Sequence, residues 1–195
     1  MKRPPLILWL VLAAVAARLA VPSSLAAQDL DGRQLADIPG VTLLYYDVSG
    51  DTAEAIRASI NSNRPSSAKD HQAYDALSAW RIAWNVRGKN GVCDPSTATV
   101  SFNATVLLPR LANHDDLHAR LRKRWDAYYA ALLQHEAGHV GYAQAHASDV
   151  EAALRAASCA TLNSAGRAAI AVLGQHETAY DAQTNHGLAT GAAFP

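Results

Sequence analysis

Trp80, Ile82, Trp84 and Val86 alternate with Arg81 and Asn85. A second alternation sets Val100, Phe102, Ala104, Val106 and Leu108 against Thr99, Ser101, Asn103 and Thr105. A period of two over this length predicts half-buried antiparallel strands, joined by the turn-rich stretch Gly88 to Pro95 and ended by Pro109. The stretch "VTLLYYDVSG", residues 41–50, is rich in β-branched and aromatic residues and stops at Gly50, so it reads as a further strand. Asp51 or Thr52 can cap a short helix to about Asn61, with Ala55, Ile56 and Ile60 on its apolar face. Residues 61–72 have the composition of a loop.

The period then changes. From about Asp115 to Ala157 there is no proline, and Leu117, Leu121, Trp125, Tyr128, Leu132, His135 and His139 recur at three- and four-residue steps. That spacing is helical. One unbroken helix of this length would run ~60 Å, so a break is expected near Gly138 to Gly141 or in "HASD", residues 146–149. A second helix spans about Ser164 to Thr184, with Gly187 as its stop. Strands first and helices afterwards indicate an α+β fold, with a small antiparallel sheet packed against a long helix and a C-terminal helix. Trp80, Trp84 and Trp125 fall on apolar faces and read as core. An edge strand of such a sheet could hold an extended peptide, but its identity is not legible from the pattern.

The amino terminus has a different character. Lys2 and Arg3 precede the apolar run Leu6 to Ala17, which is short for a bilayer span, and "SSLAAQ" offers small residues around a cleavage point. Residues 1–26 therefore read as a signal peptide, 27–40 as a polar leader, and 41–195 as a single domain; the competing reading is an uncleaved anchor, since Leu19 to Val21 extend the apolar run beyond Arg18. An exported, periplasmic or secreted protein with no membrane span after cleavage is the expectation. The chain has 195 residues, is half hydrophobic and carries 17 cationic against 17 anionic side chains. That balance gives no general attraction to nucleic acid or anionic lipid. The run Arg120, Arg122, Lys123, Arg124 reads as a solvated helix face balanced by Asp115 and Asp116. The two cysteines, Cys93 and Cys159, lack the spacing of a redox or zinc pair and read as one structural disulfide in an oxidising compartment.

Chemistry enters with "LLQHEAGHVG", residues 132–141. Residues four apart on a helix share a face, so His135 and His139 can present two ring nitrogens to one metal ion. Glu136 lies about 100° around the helix, able to reach a metal-activated water without ligating the metal. This is the arrangement of a zinc hydrolase with Glu136 as general base, acting on a peptide or protein substrate. The bland alternative is a helix with two exposed histidines and a solvated glutamate.

A catalytic zinc site needs a third protein ligand. The metzincin pattern fails, because Tyr142 and Ala145 stand where it requires glycine and histidine. Glu151 would lie ~18 Å away along a continuous helix and could ligate only if the chain turned back. The segment "HETAYDAQTNHGLATG" gathers better candidates on a helix returning antiparallel to the first. His186, before a glycine at a helix end, is the favoured ligand; Asp181 is the alternative. Tyr180 could donate its hydroxyl to a developing oxyanion. His176 and Glu177 read as surface.

An export signal, "YYDVSG", "WNV", a cysteine before an alternating strand ending in "LLP", "WDAYYAALLQHEAGH", a second cysteine and "YDAQTNHG" follow one another in this order. This resembles a bacterial family catalogued as a domain of unknown function and predicted to comprise secreted zinc-dependent proteases. The resemblance spans about Val41 to Phe194. It implies one zinc ion on His135 and His139, Glu136 as base, and functional weight on Tyr180, Asp181, Thr184, His186 and Gly187. The Tyr180–Asp181 pair also resembles that of aspzincins, where the aspartate is the third ligand; His176 and Glu177 depart from the glycine and threonine of that motif. The non-catalytic alternative is a cell-envelope binding module in which zinc is structural and fully enclosed by protein ligands.

Overall fold

The computed structural model describes residues 32–90 and 92–195. The expected signal peptide lies outside these residues. Within the leader, Gly32–Asp37 forms a short helix, α1, whose Leu35 is fully buried against the long helix.

Three strands form the main sheet: β1 (Val41–Val48), β2 (Leu77–Asn85) and β5 (Thr99–Leu111), in the order β1-β5-β2. The β2–β5 pair is antiparallel, with Trp80 opposite Ala104 and Ile82 opposite Phe102. The first strand instead joins β5 in parallel, so the sheet is mixed. The crossover between β1 and the sheet runs through helix α2 (Ala53–Asn63), a length a parallel connection requires. Thr52 caps α2 by accepting from the Ala55 amide; Ala53, Ile56 and Ile60 face inward, while Ala55 is exposed. A two-stranded ribbon, β3 (Gly88–Lys89) and β4 (Val92–Cys93), fills the turn-rich connection.

Pro109 does not end β5, which continues to Leu111. The reason is positional. Ala104 and Ala112 donate their amides to the carbonyls of Gly40 and Val48 on the β1 side, so even-numbered residues face β1 and Pro109 faces the other way. Pairing with β2 stops at Leu107, so no ladder bond is lost where proline lacks its N–H.

One face of the sheet carries the helices, and the other bears the exposed Thr99, Ser101, Asn103 and Thr105. The long helix breaks at His146, in the "HASD" stretch, into α3 (Ala119–Ala145) and α4 (Ala147–Ala156). Helix α5 (Leu162–Thr184) then returns, packing on α4 and antiparallel to α3. Its residues 176 and 180, and Gly187 just beyond its end, meet α3 at residues 142, 138 and 135 in turn. The result is a small open sheet packed against the motif-bearing helix and the C-terminal helix, a zincin-like arrangement. Val106, Leu108, Leu132, Val140 and Phe194 belong to one core cluster, and Ile82, Val150, Leu154 and Leu173 to a second. Cys93 and Cys159 form a disulfide joining β4 to the α4–α5 turn.

Candidate metal centre

His135, Glu136 and His139 all point inward from α3 and are buried, Glu136 being 5% exposed. Helix α5 supplies the partner. Its Asp181 Oδ1 lies 3.1 Å from His139 Nε2 and 3.5 Å from His135 Nε2, and the two Nε2 atoms are 3.3 Å apart. A tetrahedral ion about 2.0–2.1 Å from each ligand separates neighbouring ligands by about 3.3 Å. The three donors thus sit near three corners of one coordination tetrahedron, and two imidazoles with a carboxylate are a donor set suited to zinc.

His186 stands outside this set. Its Nδ1 is 3.6 Å from Asp181 Oδ1, its side chain is 45% exposed, and its ring leans on Tyr74 at 5.2 Å between centroids. The chain reaches it through left-handed backbone at Asn185, His186 and Gly187, and the His186 amide donates to the Asp181 carbonyl to close the helix. Gly187 is required by proximity as well as by its φ of 80°: a Cβ there would lie 2.7 Å from Ala192 Cβ and 3.2 Å from His135 Cγ. Thr184 donates its hydroxyl to the Tyr180 carbonyl. The final motif therefore builds the end of α5 and seats it on His135.

Tyr180 lies between the helices. Its ring stacks on His135 at 5.2 Å and meets His139 edge-on at 5.0 Å. Gly138 makes room for it, since a Cβ at that position would sit 2.6 Å from Tyr180 Cζ.

The surface assignment of His176 and Glu177 is corrected. His176 stacks on Tyr142 with centroids 3.3 Å apart, its Nδ1 buried. Glu177 Oε2 approaches His139 Nδ1 at 3.2 Å, an ion-pair distance without hydrogen-bond alignment. Glu177 precedes Asp181 by one helical turn, so the i,i+4 spacing on α5 was the available sequence signal. Glu151 takes no part: it accepts the Val100 amide and pairs with Arg155.

The electrostatics follow from burial and pairing. Burial pushes the Glu136 carboxyl above the usual range, opposed by His135, His139 and the Ser78 hydroxyl from β2. Burial also works against a charge on His139, but Asp181 and Glu177 outweigh it and raise the imidazole to about 10. Asp181 is correspondingly held well below the usual carboxylate range by His135 and His139, against the effect of burial.

A cleft of about 790 Å³ opens over Glu136 and the three donors. Its walls are the α2–β2 loop and the start of β2 on one side, and α5 with the chain beyond it on the other. Tyr180 is not among its lining residues, whereas His186 is. The edge strand on the cleft side is β2. Among the described residues no helix is long and apolar enough to cross a membrane.

Residues 43–187 match a family described as "Bacterial protein of unknown function (DUF922)", and the chain belongs to that family. No curated protein and no solved structure matches the chain.

Proposed function

We propose that the protein is an exported zinc-dependent peptidase, in which His135, His139 and Asp181 hold the metal and Glu136 is the general base. The single observation that carries this reading is the convergence of three donor atoms at tetrahedral spacing beside a buried glutamate, at the floor of an open cleft. Zinc bound there supplies a Lewis acid for the substrate carbonyl and acidifies a water molecule. Glu136 accepts the proton of the attacking water on its carboxylate and delivers it to the leaving amine. Its burial favours the protonated form, which suits a group that must hold a proton between the two transfers. Glu177 sets a negative charge 3.2 Å from the His139 ring nitrogen that faces away from the donors.

Asp181 takes the ligand role ahead of His186 in this reading, because Asp181 Oδ1 makes the contacts and His186 stands beyond it. The oxyanion role considered for Tyr180 needs its hydroxyl in the cleft. Its contacts support instead the positioning of both imidazoles. A structural zinc would be closed by four protein ligands; among the described residues the cluster offers three and opens on a cleft, which favours catalysis. Export rests on the amino-terminal sequence and on the disulfide, which suits an oxidising compartment.

The deciding experiment compares wild-type protein with Glu136→Gln. Both should bind one zinc ion per chain, and the variant should cleave peptides about 10²–10⁴-fold more slowly. Full activity in the variant would remove Glu136 from the mechanism.

A further inference from the structure

The cleft is electrically lopsided. Glu136, Glu177 and Asp181 occupy the metal end. At the other end Arg57 and Arg64, both lining the cleft, share a single buried carboxylate, Asp75. Arg57 Nη2 donates to Asp75 Oδ2 at 2.6 Å, and Arg64 Nη1 reaches Oδ1 at a long 3.4 Å. Among the described residues neither guanidinium has another side-chain acceptor within hydrogen-bonding distance. Lys69 and Asp70 also line the cleft but lie towards α5, Lys69 donating to Thr178, so at the arginine end two cations face one carboxylate. The arginine side chains are 25% and 29% exposed, open to a ligand yet shielded from bulk water. A guanidinium with free N–H groups in such a setting matches a carboxylate in charge and geometry.

The distance to the metal end follows from α3. Tyr128 donates its hydroxyl to Asp75 Oδ2 at 3.1 Å, which ties the arginine cluster to that point of the helix. His135 lies seven residues further on, about 10 Å along the axis. An extended peptide advances about 3.3 Å per residue, so the two ends of the cleft are three or four residues apart.

We propose that Arg57 and Arg64 form a subsite for a carboxylate of an anionic peptide, placed three or four residues from the bond that meets the metal centre. The inference rests on the peptidase reading for its substrate class. The carboxylate can belong to an Asp or Glu side chain or to the peptide's own C-terminus, and both satisfy the same guanidinium chemistry.

The test measures binding to the zinc-loaded Glu136→Gln protein, so that cleavage is not needed. Short peptides are compared in pairs that differ by Glu against Gln at each position in turn, and by a free against an amidated C-terminus. The carboxylate member should bind roughly tenfold more tightly at one register, the preference should shrink with salt, and Arg64→Gln should erase it. Which pair shows the effect tells side chain from terminus. Equal affinity within every pair, no binding of any peptide, or a preference that survives in folded Arg57→Gln and Arg64→Gln proteins would overturn the subsite. The peptide-side comparison stands even if those variants fail to fold. If wild type cleaves none of the peptides that the Glu136→Gln protein binds with this preference, the peptidase reading fails and the subsite stands.

Discussion

Glu177 and Asp181 lie one turn apart on α5, and His139 meets one of them at each ring nitrogen. Removing Asp181 removes a donor, whereas removing His186 removes a side chain that touches that donor from outside. In Asp181→Ala, zinc affinity should fall by more than the 10–100-fold typical of an outer-shell change. His186→Ala should stay within that range, as read by chelator competition on both proteins. The reverse order would make His186 the ligand. Gly138 is tested separately. Its methyl in Gly138→Ala would enter the space of the Tyr180 ring, and overpacking of this kind costs about 1–3 kcal/mol. Denaturant unfolding should show that loss, with weaker zinc binding because the same ring packs on both imidazoles.

At the scale of elements, the site exists because α5 turns back along α3. The α4–α5 turn is fixed from outside by the disulfide to β4. Closing a loop of this separation, 66 residues, contributes about 4 kcal/mol through chain entropy. Cys93→Ala/Cys159→Ala protein should therefore lose up to that amount in chemical denaturation. Its zinc affinity should be nearly unchanged if it folds, because the turn is remote from the donors. The elements themselves were largely legible. The two alternating strands and the Thr52 cap follow from local pattern and capping chemistry, whereas the break in "HASD" was one of two places that the spacing left open. The buried helix at Leu35 and the passage of β5 through Pro109 were not legible. Leu35 has too few apolar neighbours, Leu30, Ala36 and Ile38, to set a helical period, and the fate of Pro109 depends on which neighbour its nitrogen faces, a property of pairing.

At the scale of the molecule, metal uptake and protonation are linked. His139 in the metal-free protein titrates at about 10, above its ordinary 6.5, so it carries a proton at neutral pH. Zinc needs the neutral imidazole, so binding between about pH 7 and 9 should release close to one proton, seen by calorimetry in buffers of different ionisation enthalpy. The sign for stability follows. A raised histidine pKa contributes stability that is fully present below 6.5 and lost as pH rises towards 10. Metal-free protein should lose that contribution over this window, and zinc-loaded protein, with no such proton to lose, should not.

The sequence by itself determined what is local: the period of each element, and the placing of His135, Glu136 and His139 on one face of a helix, because four residues make about one turn. It also placed Asp181 and Glu177 one turn apart, although only Asp181 was read as functional. Tertiary structure decided everything that depends on how α5 meets α3. It set Asp181 rather than His186 against the two imidazoles, packed the Tyr180 ring on both of them, and brought Arg57 of α2 and Arg64 at its C-terminal end to the far end of the cleft. These placements arise from the packing of helices distant in sequence, and no local periodicity encodes the register of one helix upon another.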